Sequence, residues 1–181
     1  MDNARLIKIS KYLSKHLRHQ PERLGLTLAS GGWVEVDALL AACRDKNFPI
    51  ARAELEEVVA GNDKQRFSFD LTGQLIRANQ GHSVEVDLQL EPATPPATLY
   101  HGSSERSLDS ILANGLRRMA RHHVHLSSDV ATAKQVGARH GRPVVFAVNA
   151  AMMVENGFEF YRSANGVWLV ESVPPEFLRL L

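Results

Sequence analysis

The sequence predicts an α+β chain built in two lobes, on three observations. Leu6, Ile9, Leu13 and Leu17 recur at helical spacing. Two short alternating segments flank Leu71-Thr72-Gly73. A stretch with three prolines, residues 88–98, separates this half from one in which strands interleave with helices. The first helix starts at Asp2 or Asn3, either of which can cap it, and Pro21 follows its end. Ser30-Gly31-Gly32 forms a turn before a strand from Trp33 to Val36, and Asp37 is placed to cap a second helix, from Ala38 to about Asp45. A third helix runs from about Arg52 to Ala60 and stops at Gly61-Asn62. Residues 66–70 and 74–78 then pair as a hairpin. Two short helices in close succession followed by a hairpin are the pattern of a winged helix, in which a helix and the wing face a nucleic-acid backbone.

The prolines of residues 88–98 bar regular structure and mark a linker. Lobe bounds of 1–90 and 97–181 follow. Beyond the linker Leu99-Tyr100-His101-Gly102 ends a strand, and Ser107 to Asn114 is a helix stopped by Gly115. His123 to Ser127 is a strand, and Asp129 caps a helix to about Arg139. Residues 144–150 form a buried strand, residues 158–161 and 166–170 add two more, and Pro174-Pro175 marks an irregular C-terminal end.

The 181 residues carry 21 Lys plus Arg against 20 Asp plus Glu, so the net charge of +1 excludes a uniformly basic nucleic-acid binder. The charge is uneven, however. Residues 1–23 hold six Lys or Arg (Arg5, Lys8, Lys11, Lys15, Arg18 and Arg23), and residues 110–128 contain no acid while including Arg117, Arg118, Arg121, His122, His123 and His125. Two such islands could converge on one polyanion or be two solvated helix faces. A lone Cys43 excludes a disulfide framework and a four-Cys zinc module. With no apolar leader and no membrane-length run, the expected setting is the cytoplasm, without a membrane partner.

Three groups of residues could carry chemistry. Arg18 and His19, at the end of the first helix, and Arg66, at the entry to the hairpin, join Arg121 as cations without a neighbouring carboxylate. Arg offers bidentate contacts to a phosphate and His a proton. His101-Gly102-Ser103 closes a strand, with a glycine that lets a ligand approach the backbone. His123 and His125 alternate in a strand and share a face. Alternating His can also bind zinc, with His101 as a third ligand, but no nearby Cys, Asp or Glu completes that set, and the expectation is no metal.

Those same residues carry a resemblance. Leu13-Ser14-Lys15 through Arg18-His19-Gln20-Pro21-Glu22, Gly31-Gly32-Trp33-Val34, Asn62-Asp63-Lys64-Gln65-Arg66-Phe67 and Ile76-Arg77-Ala78-Asn79-Gln80-Gly81-His82-Ser83 stand in order with Leu99-Tyr100-His101-Gly102, His123-Val124-His125-Leu126-Ser127 and Asn165-Gly166-Val167-Trp168-Leu169. From about Leu13 to Pro175 the chain resembles the NAD-dependent RNA 2′-phosphotransferase family. The resemblance implies an N-terminal winged-helix lobe that holds RNA, joined by the Pro-rich linker to an ADP-ribosyltransferase-like mixed α/β lobe that holds NAD as co-substrate. It implies a catalytic tetrad of Arg18, His19, Arg66 and Arg121. It places NAD contacts on His101, Gly102, Ser103, His125, Leu126 and Ser127, with Ser103 keeping the hydroxyl of the family's usual Thr. Protein-modifying relatives keep a Glu on a late strand where this family has an apolar residue, Val167 here, with Glu171 nearby.

The implied reaction removes an internal, splice-junction-type 2′-phosphate from a tRNA-like RNA. The products are 2′-OH RNA, nicotinamide and ADP-ribose 1″,2″-cyclic phosphate. Lys11, Lys15 and Lys64 would hold the flanking RNA backbone, and the chain would act as a monomer without a metal. Two other readings share these residues: an ADP-ribosyltransferase that caps terminal phosphates of nucleic acids, and a non-catalytic winged helix with an NAD-sensing appendage.

Overall fold

The computed structural model describes residues 3–61 and 65–181. Asp2, Asn62, Asp63 and Lys64, named above as helix cap, helix stop, hairpin entry and RNA contact, lie outside them. The chain divides into two compact units, Met1–Gln89 and Leu90–Leu181, and is mixed α+β with small antiparallel sheets.

In the first unit α1 spans Asn3–His19 and buries Ile9, Leu13 and Leu17. These residues lie four apart, one helical turn, and so form one apolar stripe. β1 is Trp33–Glu35, α2 Val36–Asp45 and α3 Arg52–Ala60. The expected Asp37 cap is a correction: the helix starts two residues earlier, Glu35 takes the cap position without a side-chain hydrogen bond, and Asp37 sits in the first turn. There its charge still suits the helix dipole. The hairpin is β2, Phe67–Phe69, and β3, Leu75–Ala78, and the sheet order is β1-β3-β2. Asp70 closes its turn by accepting from the Thr72 hydroxyl at 2.6 Å and from the Leu75 N–H at 2.8 Å. The stripe of α1 packs with Leu39 and Cys43 of α2, Leu55 and Val58 of α3, and Phe67 and Ile76 of the hairpin. Arg5 of α1 donates to Glu54 of α3 at 3.0 Å and holds that carboxylate below its ordinary value.

The second unit contains β4 (Thr98–Ser104), α4 (Leu108–Asn114), β5 (Leu116–Arg117), β6 (Val124–Leu126), α5 (Val130–Gly137) and β7 (Pro143–Asn149). α6 (Ala150–Glu155), β8 (Phe160–Arg162), β9 (Trp168–Val170), β10 (Ser172–Val173) and β11 (Leu178–Leu180) follow. Two three-stranded sheets, β11-β7-β4 and β6-β9-β8, are tied by an antiparallel bridge in which Tyr100 and Ser127 exchange backbone hydrogen bonds of 2.9 and 2.7 Å. A third pair joins β10 to β5. Asp129 caps α5 by accepting from the Thr132 N–H at 2.7 Å. The C-terminal end is a second correction, because the prolines only punctuate it: β10 precedes them, and β11 after them pairs with β7 across Leu178↔Val148 to Leu180↔Phe146. The helix α6, capped by the Asn149 side chain on the Met152 N–H at 3.0 Å, is an element the sequence reading did not contain.

Among the described residues no helix is long and apolar enough to cross a membrane.

Candidate active site

In the first unit the site is built on the C-terminus of α1. Arg18 and His19 are its last two residues, where cations meet the negative end of the helix dipole. A helix end leaves carbonyls without helical partners. The segment after β3 supplies some, since the N–H groups of Ser83 and Val84 donate to the Arg18 carbonyl at 2.9 and 3.4 Å. The same segment reaches the imidazole, with the Ser83 hydroxyl 2.8 Å from His19 Nδ1.

Arg66 is brought to Arg18 through the backbone. Arg18 Nη2 donates to the Arg66 carbonyl at 3.5 Å, and its guanidinium lies 5.9 Å from the ring centre of buried Phe67. Asn79, itself buried, fixes this corner: its N–H donates to the Arg66 carbonyl at 2.9 Å and its amide nitrogen to the Gln65 carbonyl at 2.6 Å. Gln65 adopts a left-handed backbone, φ 38°, which a side chain tolerates only when its surroundings hold it. Asn79 and Ser83 were missed as functional residues. The sequence signal for them was their place directly after the hairpin, in the run Ile76 to Ser83 that carries part of the resemblance. Lys11 and Arg66 line one groove of about 350 Å³ together with Ser10, Ser14 and Glu57. Lys15 is exposed on the same helix.

In the second unit His101 and Ser103 lie on one face of β4 and Gly102 on the other. The face of Gly102 belongs to α5, for a Cβ there would stand 1.6 Å from the Ala133 carbonyl oxygen. The absence of a side chain at this position is therefore required by close helix packing. His101 Nδ1 donates to the His125 carbonyl at 3.0 Å, leaving Nε2 as an acceptor. Burial holds this imidazole below its usual pKa, the carbonyl contact opposes that shift, and the charge of Arg121 adds to it. Arg121, exposed, donates through Nη1 to His125 Nδ1 at 3.2 Å, so the His125 proton sits on Nε2 while that contact lasts. Val124 and Leu126 on the opposite face are buried in the core. Ser127 follows in the Tyr100 bridge.

His123 and His125 have separate partners. The His123 ring lies 5.4 Å from that of Tyr161, and burial lowers its pKa, with His122 and Arg118 adding and Glu171 opposing. No three or more His, Cys, Asp or Glu side chains among the described residues are grouped to hold a metal ion. The Cys43 thiol is buried in the first unit's core, and burial pushes it up to about 11.

A family model described as RNA 2′-phosphotransferase, Tpt1 / KptA family, matches residues 4–172. The chain belongs to this family. It is 64% identical over 181 residues, all of both chains, to a probable RNA 2′-phosphotransferase of Trichormus variabilis. It is 65% identical over 179 residues, 99% of each chain, to one of Nostoc punctiforme, and 58% identical over 187 residues, again 99% of each, to one of Streptomyces griseus. Membership places it among transferases, and every residue discussed in this site lies within the matched span.

Proposed function

We propose that this chain removes an internal 2′-phosphate from RNA by transferring it to NAD, through Arg18, His19, Arg66 and Arg121. The observation that carries the reading is the end of α1, where a permanent cation and an imidazole are held beside the backbone of a second cation, in a chain of the RNA 2′-phosphotransferase family. The first unit, with three helices and a sheet of order β1-β3-β2, is read as a winged helix that holds RNA, Lys11, Lys15 and Lys64 contacting its phosphates. The second is read as an ADP-ribosyltransferase-like lobe that takes NAD on His101, Gly102, Ser103, His125, Leu126 and Ser127. An imidazole kept neutral with an accepting Nε2, beside serine hydroxyls, suits a ligand rich in ribose hydroxyls.

NAD supplies an electrophilic ribose carbon bearing a good leaving group. The RNA phosphate monoester, with a second pKa of about 6, is already an anionic nucleophile, so the first step needs no protein base. Nicotinamide leaves and ADP-ribose is joined to the RNA phosphate. In the second step the ribose O2″ attacks that phosphorus and the RNA 2′-oxygen departs. Arg18, Arg66 and Arg121 each offer a guanidinium to the non-bridging oxygens, the role a metal ion fills in other phosphoryl transfers. His19 moves the proton between O2″ and the leaving oxygen.

The test is incubation of the purified chain with NAD and an RNA bearing one internal 2′-phosphate, with and without EDTA. Phosphate loss with one nicotinamide and one cyclic phosphate released per RNA, undiminished by EDTA, is the expected result. Retention of the phosphate, or capping of terminal phosphates alone, would replace the reading with the capping activity.

A further inference from the structure

We propose that Ser83 is the positioning residue for His19. The inference rests on the reading of His19 as the proton-transfer group and goes beyond it by naming what aims the ring.

His19 is exposed at the end of its helix, and an exposed imidazole exchanges rotamers rapidly unless something holds it. Ser83, 64 positions further along the chain, holds it at both ends of the residue. Its N–H, 2.9 Å from the Arg18 carbonyl, docks the 83–84 segment on the last turn of α1, and its Oγ lies 2.8 Å from His19 Nδ1. With Nδ1 on the serine, the reading assigns the reacting atoms to Nε2. Ser83 is itself exposed and is not among the buried residues of the core.

The choice of a hydroxyl fits the task. In the second step the O2″–P bond forms, the bonding pair of P–O2′ leaves on the RNA oxygen, and one proton passes from O2″ to O2′ by way of Nε2. The ring is neutral at one moment and cationic at another. With Nε2 exchanging the proton, Nδ1 keeps its own in both states, and the neutral serine oxygen accepts from Nδ1–H throughout. A carboxylate in its place would favour the cation and resist release of the proton.

The experiment compares wild type, Ser83→Ala and Ser83→Thr as full-length chains. It uses NAD and RNA with one internal 2′-phosphate, with the RNA species resolved in single turnovers. Ser83→Ala should lose kcat by on the order of tenfold to a hundredfold, the scale of a misaimed reacting group. RNA carrying ADP-ribose on its phosphate should build up, while KM for both substrates and the melting temperature stay near wild type. Ser83→Thr should recover most of the rate. Wild-type turnover in Ser83→Ala, a loss confined to KM, or no recovery in Ser83→Thr would each overturn the proposal. The ring ¹⁵N shifts of His19 read the contact without catalysis: they should move in Ser83→Ala and return in Ser83→Thr, and unchanged shifts would also overturn it. A wild-type chain that leaves the 2′-phosphate in place refutes the functional reading instead, and the ¹⁵N shifts still decide whether Ser83 orients the ring.

Discussion

In the first unit the proposed reacting groups hang from backbone that is held from several directions. Arg18 and His19 end a helix whose carbonyl is bonded by the 83–84 segment, and the Arg66 carbonyl receives both Asn79 and Arg18. In the second unit Arg121 stands exposed in the loop before β6, with its N–H on the Arg118 carbonyl and its guanidinium on a neighbouring imidazole, beside Met119 at φ 53°. Under the proposed reading the contrast implies a division of work. A group that must meet a reacting atom at fixed distance is best carried on an element whose end is bonded, because misplacement costs rate steeply. A group that screens developing charge tolerates more freedom.

The largest effects should break that comparison at its rigid side. Arg66→Ala and His19→Ala should each slow the second step by roughly a hundredfold, about 3 kcal/mol of transition-state stabilisation, with ADP-ribosylated RNA accumulating on a gel. Normal turnover in both would end the tetrad assignment.

Conservative variants should sharpen it. Arg18→Lys should be nearly as damaging as Arg18→Ala, because a lysine cannot reproduce the planar fork that reaches the Arg66 carbonyl over Phe67. Arg121→Lys should keep most of its function, losing roughly tenfold or less, since its loop can readjust to a point charge. Equal losses in the two, measured as kcat/KM, would show that both halves are equally demanding.

A smaller effect tests the support under Arg66. Asn79→Ala should cost about 1–3 kcal/mol of stability by leaving the Gln65 carbonyl without its amide donor, and should lower kcat more than it raises KM for RNA. Denaturant unfolding alongside kinetics separates the two.

The pH dependence addresses the second unit. His101 and His123 have folded pKa values below the unfolded value of about 6.5. The unfolded chain therefore takes up their protons first as pH falls. Their contribution to stability is complete above about 6.5 and is lost below it. His101→Gln should flatten that fall when denaturant midpoints are compared from pH 7.5 to 5.5.

The smallest change is expected at Cys43. With its thiol pushed up to about 11 inside the core, it should resist alkylation in the folded chain. Cys43→Ala should cost on the order of 1 kcal/mol in the melting curve and leave turnover unchanged.

What the sequence determined by itself is local. The apolar stripe of α1, the bounds of α3, the hairpin with its turn and the Asp129 cap were legible, because each depends on residues a few positions apart. So was the family, carried by short runs in fixed order. Tertiary structure decided the rest. Whether the residues after Pro174-Pro175 form a strand depends on a free edge of β7, and Gly102 is a glycine because α5 lies on it. The aim of His19 is set by a serine 64 positions away, and the place of Arg66 by a buried asparagine after the hairpin. Such contacts leave no periodic trace in the chain. They arise only when packing brings distant backbone groups together, where a buried polar atom must find a partner or pay for its lost water.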